Sequence, residues 1–128
     1  MAGAGPSGLV AAKYLLASGG FEVSVYEEGP SIGGTFVNKT YDNTTLVSSK
    51  YITLFADLRA PTEESEHMTA VSYVDYLKCY CDKFALWQHI HFGKYMPHSS
   101  HTRTNKHTRW HLAGHSSGTT RCTTVFVR

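Results

Sequence analysis

Three glycines and one glutamate carry the clearest chemical signal in this chain. Gly3-Ala4-Gly5-Pro6-Ser7-Gly8 has the spacing G-x-G-x-x-G, and Glu27 follows Gly8 by 19 residues (27 − 8). Glycine at the first position can take the backbone angles of a tight strand-to-helix turn. At the second it lets the main chain approach a pyrophosphate where a Cβ would collide, and at the third it lets the helix pack closely on the sheet. The phosphates then meet free N–H groups at the positive end of a helix. Pro6, within the turn or the first helical turn, removes no N–H that the helix needs. A carboxylate about 20 residues beyond the last glycine reaches ribose hydroxyls and repels a 2′-phosphate, which points to FAD or NAD rather than NADP at this turn. Gly3, Ala4, Gly5, Pro6, Ser7, Gly8 and Glu27 are therefore expected to bind a dinucleotide.

Those residues need a helix and a strand to position them, and the neighbouring sequence supplies both. Leu9, Ala12, Leu15 and Leu16 recur at helical spacing, predicting a helix to about Ser18 that Gly19-Gly20 terminates. Phe21 to Tyr26 alternates and is rich in β-branched and aromatic residues, predicting a buried strand with Glu27 at its carboxyl end, where ligands sit in open α/β sheets. A buried strand of about five or six residues is expected before the glycine turn. Only Met1 and Ala2 stand there, so the expected fold is a truncated one with its first strand missing.

Further along, Glu28 to Phe36 is rich in turn residues, and its pair Gly33-Gly34 permits a second close backbone approach beside the first site. Val37 to Arg59 is polar and irregular, with an apolar run, Tyr51 to Phe55, that reads as a strand or extended segment. Ala60 to Glu66 is an acidic, proline-containing loop. Thr69 is placed to cap a helix ending near Ala85, in which Val74, Leu77, Cys81 and Phe84 make one apolar face and Tyr73, Tyr76 and Tyr80 widen it. After Trp87 the composition shifts to His and Thr. Arg109 to Leu112 and Thr123 to Val127 then flank Gly114 to Gly118 as the arms of a β-hairpin do. The fold class is thus α/β, a partial Rossmann-like FAD/NAD(P)-binding domain with a C-terminal β-hairpin. It is read as one domain over 1–128: a dinucleotide-binding remnant over 1–36, an insert with one helix over 37–95, and a polar loop and hairpin over 96–128.

Composition narrows the classes of function. At 128 residues and 41% hydrophobic, the chain suffices for one ordinary domain and not for two. A net charge of +2 without a basic stripe gives no footprint for nucleic acid. Cys79, Cys81 and Cys122 form no C-x-x-C pair, and their odd number without a secretory signal fits free thiols in a reducing compartment, so a cytoplasmic location is expected. Cys79 and Cys81 are read as core filler rather than joint metal ligands. The longest apolar stretch, Leu9 to Leu16, contains Lys13 and is far short of the roughly 20 residues that span a bilayer. Two Asn-x-Thr sequons, at Asn38 and Asn43, would matter only in a secreted chain.

Taken together, these segments resemble the N-terminal end of the flavin-containing monooxygenases, the N-hydroxylating and Baeyer–Villiger superfamily, in its fungal-type branch. The resemblance rests on Gly3 to Leu9, Val25-Tyr26-Glu27, Ile32-Gly33-Gly34-Thr35-Phe36, and Val47-Ser48-Ser49-Lys50 leading into Phe55-Ala56-Asp57. It continues through Tyr73 to Leu77 and Tyr80-Cys81-Asp82 to His91-Phe92-Gly93, covering roughly residues 3–95. It implies an enzyme that binds FAD, is reduced by NADPH, and passes one atom of oxygen to a small nitrogen or sulfur nucleophile, the cofactor carrying that chemistry. It further implies that Gly3 to Gly8 meet the FAD pyrophosphate and Glu27 the ribose. Gly34, Thr35 and Phe36 would then lie on the flavin side, and Ser48 near flavin and nicotinamide. Phe36 stands where many members have Trp, and Val47 where many have Asn. A second glycine motif for NADPH and a Phe-x-Gly-x-x-x-His pattern do not occur. The 128 residues alone are accordingly expected to be inactive, and their open sheet edges to invite self-association.

Three other readings compete. A disulfide reductase would share Gly3 to Glu27 but carry a redox cysteine pair soon afterwards, and none lies between Glu27 and Lys78. A non-enzymatic interaction domain, or a fragment without cofactor, would differ in direct cofactor titration. A metal site is suggested by His107, His111 and His115 at intervals of four and by His89 and His91. Helical spacing would bring the first three together, but the surrounding Thr, Trp and Gly favour strand and turn.

Overall fold

In a computed structural model that describes residues 3–95, and the backbone strands 99–104, 107–112 and 125–126, the glycine turn leads directly into helix α1, Pro6–Ala17. Gly5 is its extended N-cap, proline occupies its first turn, and Ser18 closes it, as the sequence predicts. Leu9 and Ala12 are fully buried on one face, and Leu15 and Leu16 pack beside them.

Strand β1 is Val25–Tyr26, shorter than the predicted Phe21 to Tyr26. Its ladder is limited by its partner, the two-residue parallel strand β2, Ile90–His91, in which Ile90 lies opposite Val25 and His91 opposite Tyr26. Glu27 N–H donates to the His91 carbonyl at 2.9 Å on that flank, while Gly3 N–H donates to the Tyr26 carbonyl at 2.8 Å on the other. The lateral order is therefore glycine turn, β1, β2. Such parallel neighbours, separated by helical crossovers, are the basic unit of a doubly wound sheet.

Two short helices, α2 (Thr35–Asn38) and α3 (Lys50–Thr53), precede the long helix α4 (Ala70–Lys83). The run Tyr51 to Phe55 is thus not a strand but the body of α3 and an extended exit. Tyr51 and Ile52 are consecutive and both exposed, whereas Leu54 is buried, so the apolar residues do not alternate between a wet and a dry face. Thr69 caps α4 as expected, its hydroxyl accepting from Ser72 N–H at 3.0 Å. Tyr73, Val74, Tyr76, Leu77, Tyr80 and Cys81 are its buried face. The segment expected to contain a single helix also holds α3, a 3-10 turn at Trp87–His89, and β2.

A separate antiparallel sheet has the order β3-β4-β5, formed by Ser99–Thr104, His107–Leu112 and Val125–Phe126. The expected hairpin arms pair as β4 and β5, with Arg109 opposite Phe126 and Trp110 opposite Val125; Gly114 to Gly118 lies outside the described residues. β3 falls in what reads as a polar loop. Its Ser-Ser-His-Thr-Arg-Thr sequence has no apolar alternation to signal a strand. Among the described residues, no helix is long and apolar enough to cross a membrane.

Candidate dinucleotide site

The glycine turn is shaped by backbone contacts that explain two of its three glycines. Gly3 has φ +91°, in the region that favours glycine, and a Cβ on Gly8 would stand 2.0 Å from the Gly3 carbonyl oxygen. Gly8 therefore serves the close approach of α1 to the turn itself. Gly5 is different, because a Cβ there would meet no protein atom within 4 Å. Internal packing does not demand glycine at that position, whereas close approach of a phosphate would. The N-terminus of α1 has neither a side-chain cap nor an acidic residue in its first turn, so the Ser7 and Gly8 N–H groups have no intrahelical acceptor and suit an anion. Ser7 is exposed beside half-buried Pro6.

The second glycine pair is brought onto the first. Gly33 N–H donates to the Ala4 carbonyl at 3.0 Å, and a Cβ on Gly34 would lie 3.5 Å from the Gly5 Cα. Gly33 has φ +115° and packs so tightly on Val37 and Val74 that a Cβ would approach them to 2.8 and 3.2 Å. Two glycine segments distant in sequence thus form one cradle, with buried Ala4 at its centre. The Gly33-Gly34 pair is legible in the sequence; Ala4 as the residue it bonds is not.

Glu27 reaches the cradle from the end of β1. It is buried, and its Oε2 accepts from Ala4 N–H at 2.6 Å while Oε1 accepts from Gly29 N–H at 2.8 Å. The sequence predicts a ribose acceptor, and the structure shows a carboxylate already used by backbone. Since a carboxylate offers about four acceptor directions, two bonds leave capacity for a ligand.

The remaining predicted residues are more dispersed. Gly34 caps α2, Thr35 begins it and is exposed, and the half-buried Phe36 ring meets Tyr73 edge-to-face at 4.8 Å. Tyr73 is held neutral, its phenol pushed up to about 12 first by burial and then by neighbouring Tyr76. Ser48 is exposed, and its hydroxyl bonds that of Thr53 at 2.7 Å; among the described residues no hydrogen bond joins it to the cradle. Nearby Lys50 is buried, donating through Nζ to the carbonyls of Pro61, Thr62 and Glu64 at 3.3, 3.0 and 2.5 Å. It fastens the acidic loop rather than facing the turn.

Asp57 connects the cradle's helix to α4. Its Oδ2 pairs with Lys13 Nζ at 2.7 Å and accepts from the Tyr80 hydroxyl at 3.3 Å, while its carbonyl accepts from Lys83 Nζ at 2.6 Å. The hydrogen bond from Lys13 holds the Asp57 carboxyl below its ordinary value, and the same bond raises Lys13.

Cys81 is buried core, its thiol pushed up to about 12 by burial, whereas Cys79 is exposed and not the core filler that was expected. Cys122 lies outside the described residues. His107 and His111 lie in strand β4, and His115 is outside the described residues.

Comparison with known proteins gives the same picture as this geometry. The NAD(P)-binding Rossmann-like domain family matches residues 2–68, more than half of the chain. Monooxygenase ptmN of Penicillium ochrochloron is 42% identical over 111 residues, which are 82% of this chain and 18% of that protein. An Arabidopsis thaliana protein carrying the name flavin-containing monooxygenase 2 is 38% identical over 92 residues, 71% of this chain and 19% of that one. Among solved structures, S-allyl-L-cysteine S-oxygenase from Allium sativum aligns with a TM-score of 0.73 at 19% identity, covering 88% of this chain and 31% of that one. A complex of OTEMO with FAD and NADP aligns at 0.72 and 18% identity, over 98% of this chain and 23% of that one. The chain thus spans about a fifth of the length of the curated relatives it matches. On the turn, the sheet order and these matches together, the chain belongs to the NAD(P)-binding Rossmann-like domain family, and its curated relatives include proteins named monooxygenase and flavin-containing monooxygenase.

Proposed function

We propose that the Gly3–Gly8 turn, Gly34, Thr35, Phe36 and Glu27 hold FAD, and that the chain is the FAD-binding part of an NADPH-dependent monooxygenase of small nitrogen or sulfur nucleophiles. The observation that carries this is the two-sided cradle: Gly33 bonded to Ala4, Gly34 against Gly5, and an uncapped helix start facing the space a Gly5 Cβ would enter. When bound and reduced by NADPH, FAD supplies the electrons that activate oxygen. One oxygen atom goes to the lone pair of the nucleophile and the other leaves as water, balanced by the hydride and a proton.

The chain's own residues bind and orient in this scheme. Backbone N–H groups at the start of α1 neutralise pyrophosphate charge, the Glu27 carboxylate accepts from ribose hydroxyls, and its charge disfavours a 2′-phosphate. Phe36, fixed by its edge-to-face contact with Tyr73, presents an apolar surface at the start of α2. Ser48 supplies a hydroxyl toward flavin and nicotinamide. The sulfur preference draws on the S-oxygenase among the structural neighbours.

Titration of FAD with the purified chain, followed by flavin fluorescence, tests the assignment. Gly5→Val should weaken FAD at least tenfold while leaving the circular dichroism of the ligand-free chain unchanged, because the new side chain starts in space no protein atom occupies within 4 Å. Equal affinity in both proteins would overturn it.

A further inference from the structure

Glu27 is engaged by the backbone of the glycine cradle itself. Its Oε2 takes the Ala4 N–H at 2.6 Å, and the Ala4 carbonyl takes the Gly33 N–H at 3.0 Å, so one side chain reaches both glycine segments through a single residue. Its Oε1 takes the Gly29 N–H at 2.8 Å, pinning the start of the loop that carries Gly33 and Gly34. With 6% of its surface exposed, the carboxylate is shielded from water, and N–H bonds to an ionised acceptor are the stronger kind.

We infer that Glu27 is a positioning residue for the phosphate cradle: it holds Ala4 and Gly29 so that the turn, the start of α1 and the second glycine pair are preset before a dinucleotide arrives. This rests on the dinucleotide reading above and adds a duty to the ribose contact. The same carboxylate, with acceptor directions to spare, then couples the ribose end of the ligand to the geometry of its phosphate end. Preorganised donors bind more tightly because their ordering is complete before binding.

Amide hydrogen exchange in the ligand-free chain, read by NMR, tests the role. Ala4 N–H should be protected relative to Ser7 N–H, which has no acceptor in the first turn of α1. Glu27→Gln keeps one acceptor oxygen but turns an NH₂ toward the second N–H, and should speed exchange at Ala4 or Gly29 by about tenfold or more. Leu77 and Tyr80 in α4 should be unchanged. Acceleration spread equally through α4 would mean a loss of global stability and overturn the positioning role. If the variant does not fold, the unsubstituted chain decides: Ala4 exchanging as fast as Ser7 overturns the inference. ADP added to the unsubstituted chain separates the two readings. No response at Gly5, Ser7 and Gly8 removes the dinucleotide reading and the inference with it, whereas a response with an unprotected Ala4 removes the inference alone.

Discussion

At the scale of single residues, the three glycines of one motif do unlike work, and substitution should separate them. Gly8 is required by the protein, because a Cβ would lie 2.0 Å from the Gly3 carbonyl oxygen and neither atom is the end of a flexible side chain. Gly8→Ala is expected to force α1 away from the turn and to destabilise the ligand-free chain by about 1–3 kcal/mol, the usual range for overpacking a tight contact. Gly5→Ala meets nothing within 4 Å and sits at an N-cap with φ −79°, which alanine adopts. Its stability change should stay within about 1 kcal/mol. Urea unfolding of the two variants side by side checks the contrast, and equal destabilisation would show that the turn has been misread.

At the scale of elements, legibility followed the strength of the periodic signal. Helix α1 and helix α4 could be read because Leu9 and Ala12, and Val74, Leu77 and Cys81, repeat on one face, and Thr69 stands where a cap is needed. Helix α3 could not, since four residues give one turn and a short apolar run looks alike in either state. The pair Val25–Ile90 joins residues on opposite sides of α4, and nothing local in Ile90-His91 announces the partner. The glycine cradle was readable as two motifs, while its assembly through Ala4 depends on bonds between segments far apart in sequence. The Asp57 clasp was likewise hidden, as it joins three separate segments. It should have a recognisable pH signature. Asp57 is held below its ordinary 3.8 chiefly by the Lys13 hydrogen bond, so its contribution is complete above that value and lost as pH falls through the depressed one. Lys13 is raised above its ordinary 10.5, so its contribution is complete below that value and lost as pH rises through the raised one. The destabilisation caused by Lys13→Met should be small, as for ion pairs that water still reaches, and constant across the neutral range. It should shrink toward zero in acid below the Asp57 transition. Urea midpoints of the two proteins at neutral and acid pH measure it, and a difference that persists in acid would assign the effect to the Lys13 ammonium over the Tyr14 and Phe84 rings instead.

At the scale of the whole molecule, the expected outcome is binding without turnover. The sequence contains one G-x-G-x-x-G turn, and the described fold builds one cradle from it with Gly33-Gly34. Oxygen transfer in the proposed scheme needs a hydride donor held against the flavin as well, which is the work of a second nucleotide site. It also needs walls that keep water from the activated oxygen. Among the described residues, Tyr51, Ile52 and Val47, with 67, 81 and 97% of their surfaces accessible, leave the region around Ser48 open rather than enclosed. The 128-residue chain should therefore bind FAD yet show no NADPH oxidation stimulated by a thioether substrate, and form no sulfoxide above the level given by free FAD. Anaerobic mixing with NADPH should leave the visible absorbance of the oxidised flavin essentially unbleached. Sulfoxide formation coupled to NADPH oxidation, and abolished by Gly5→Val, would show that one cradle and an open surface suffice, because the same variant would then remove both the cofactor and the chemistry.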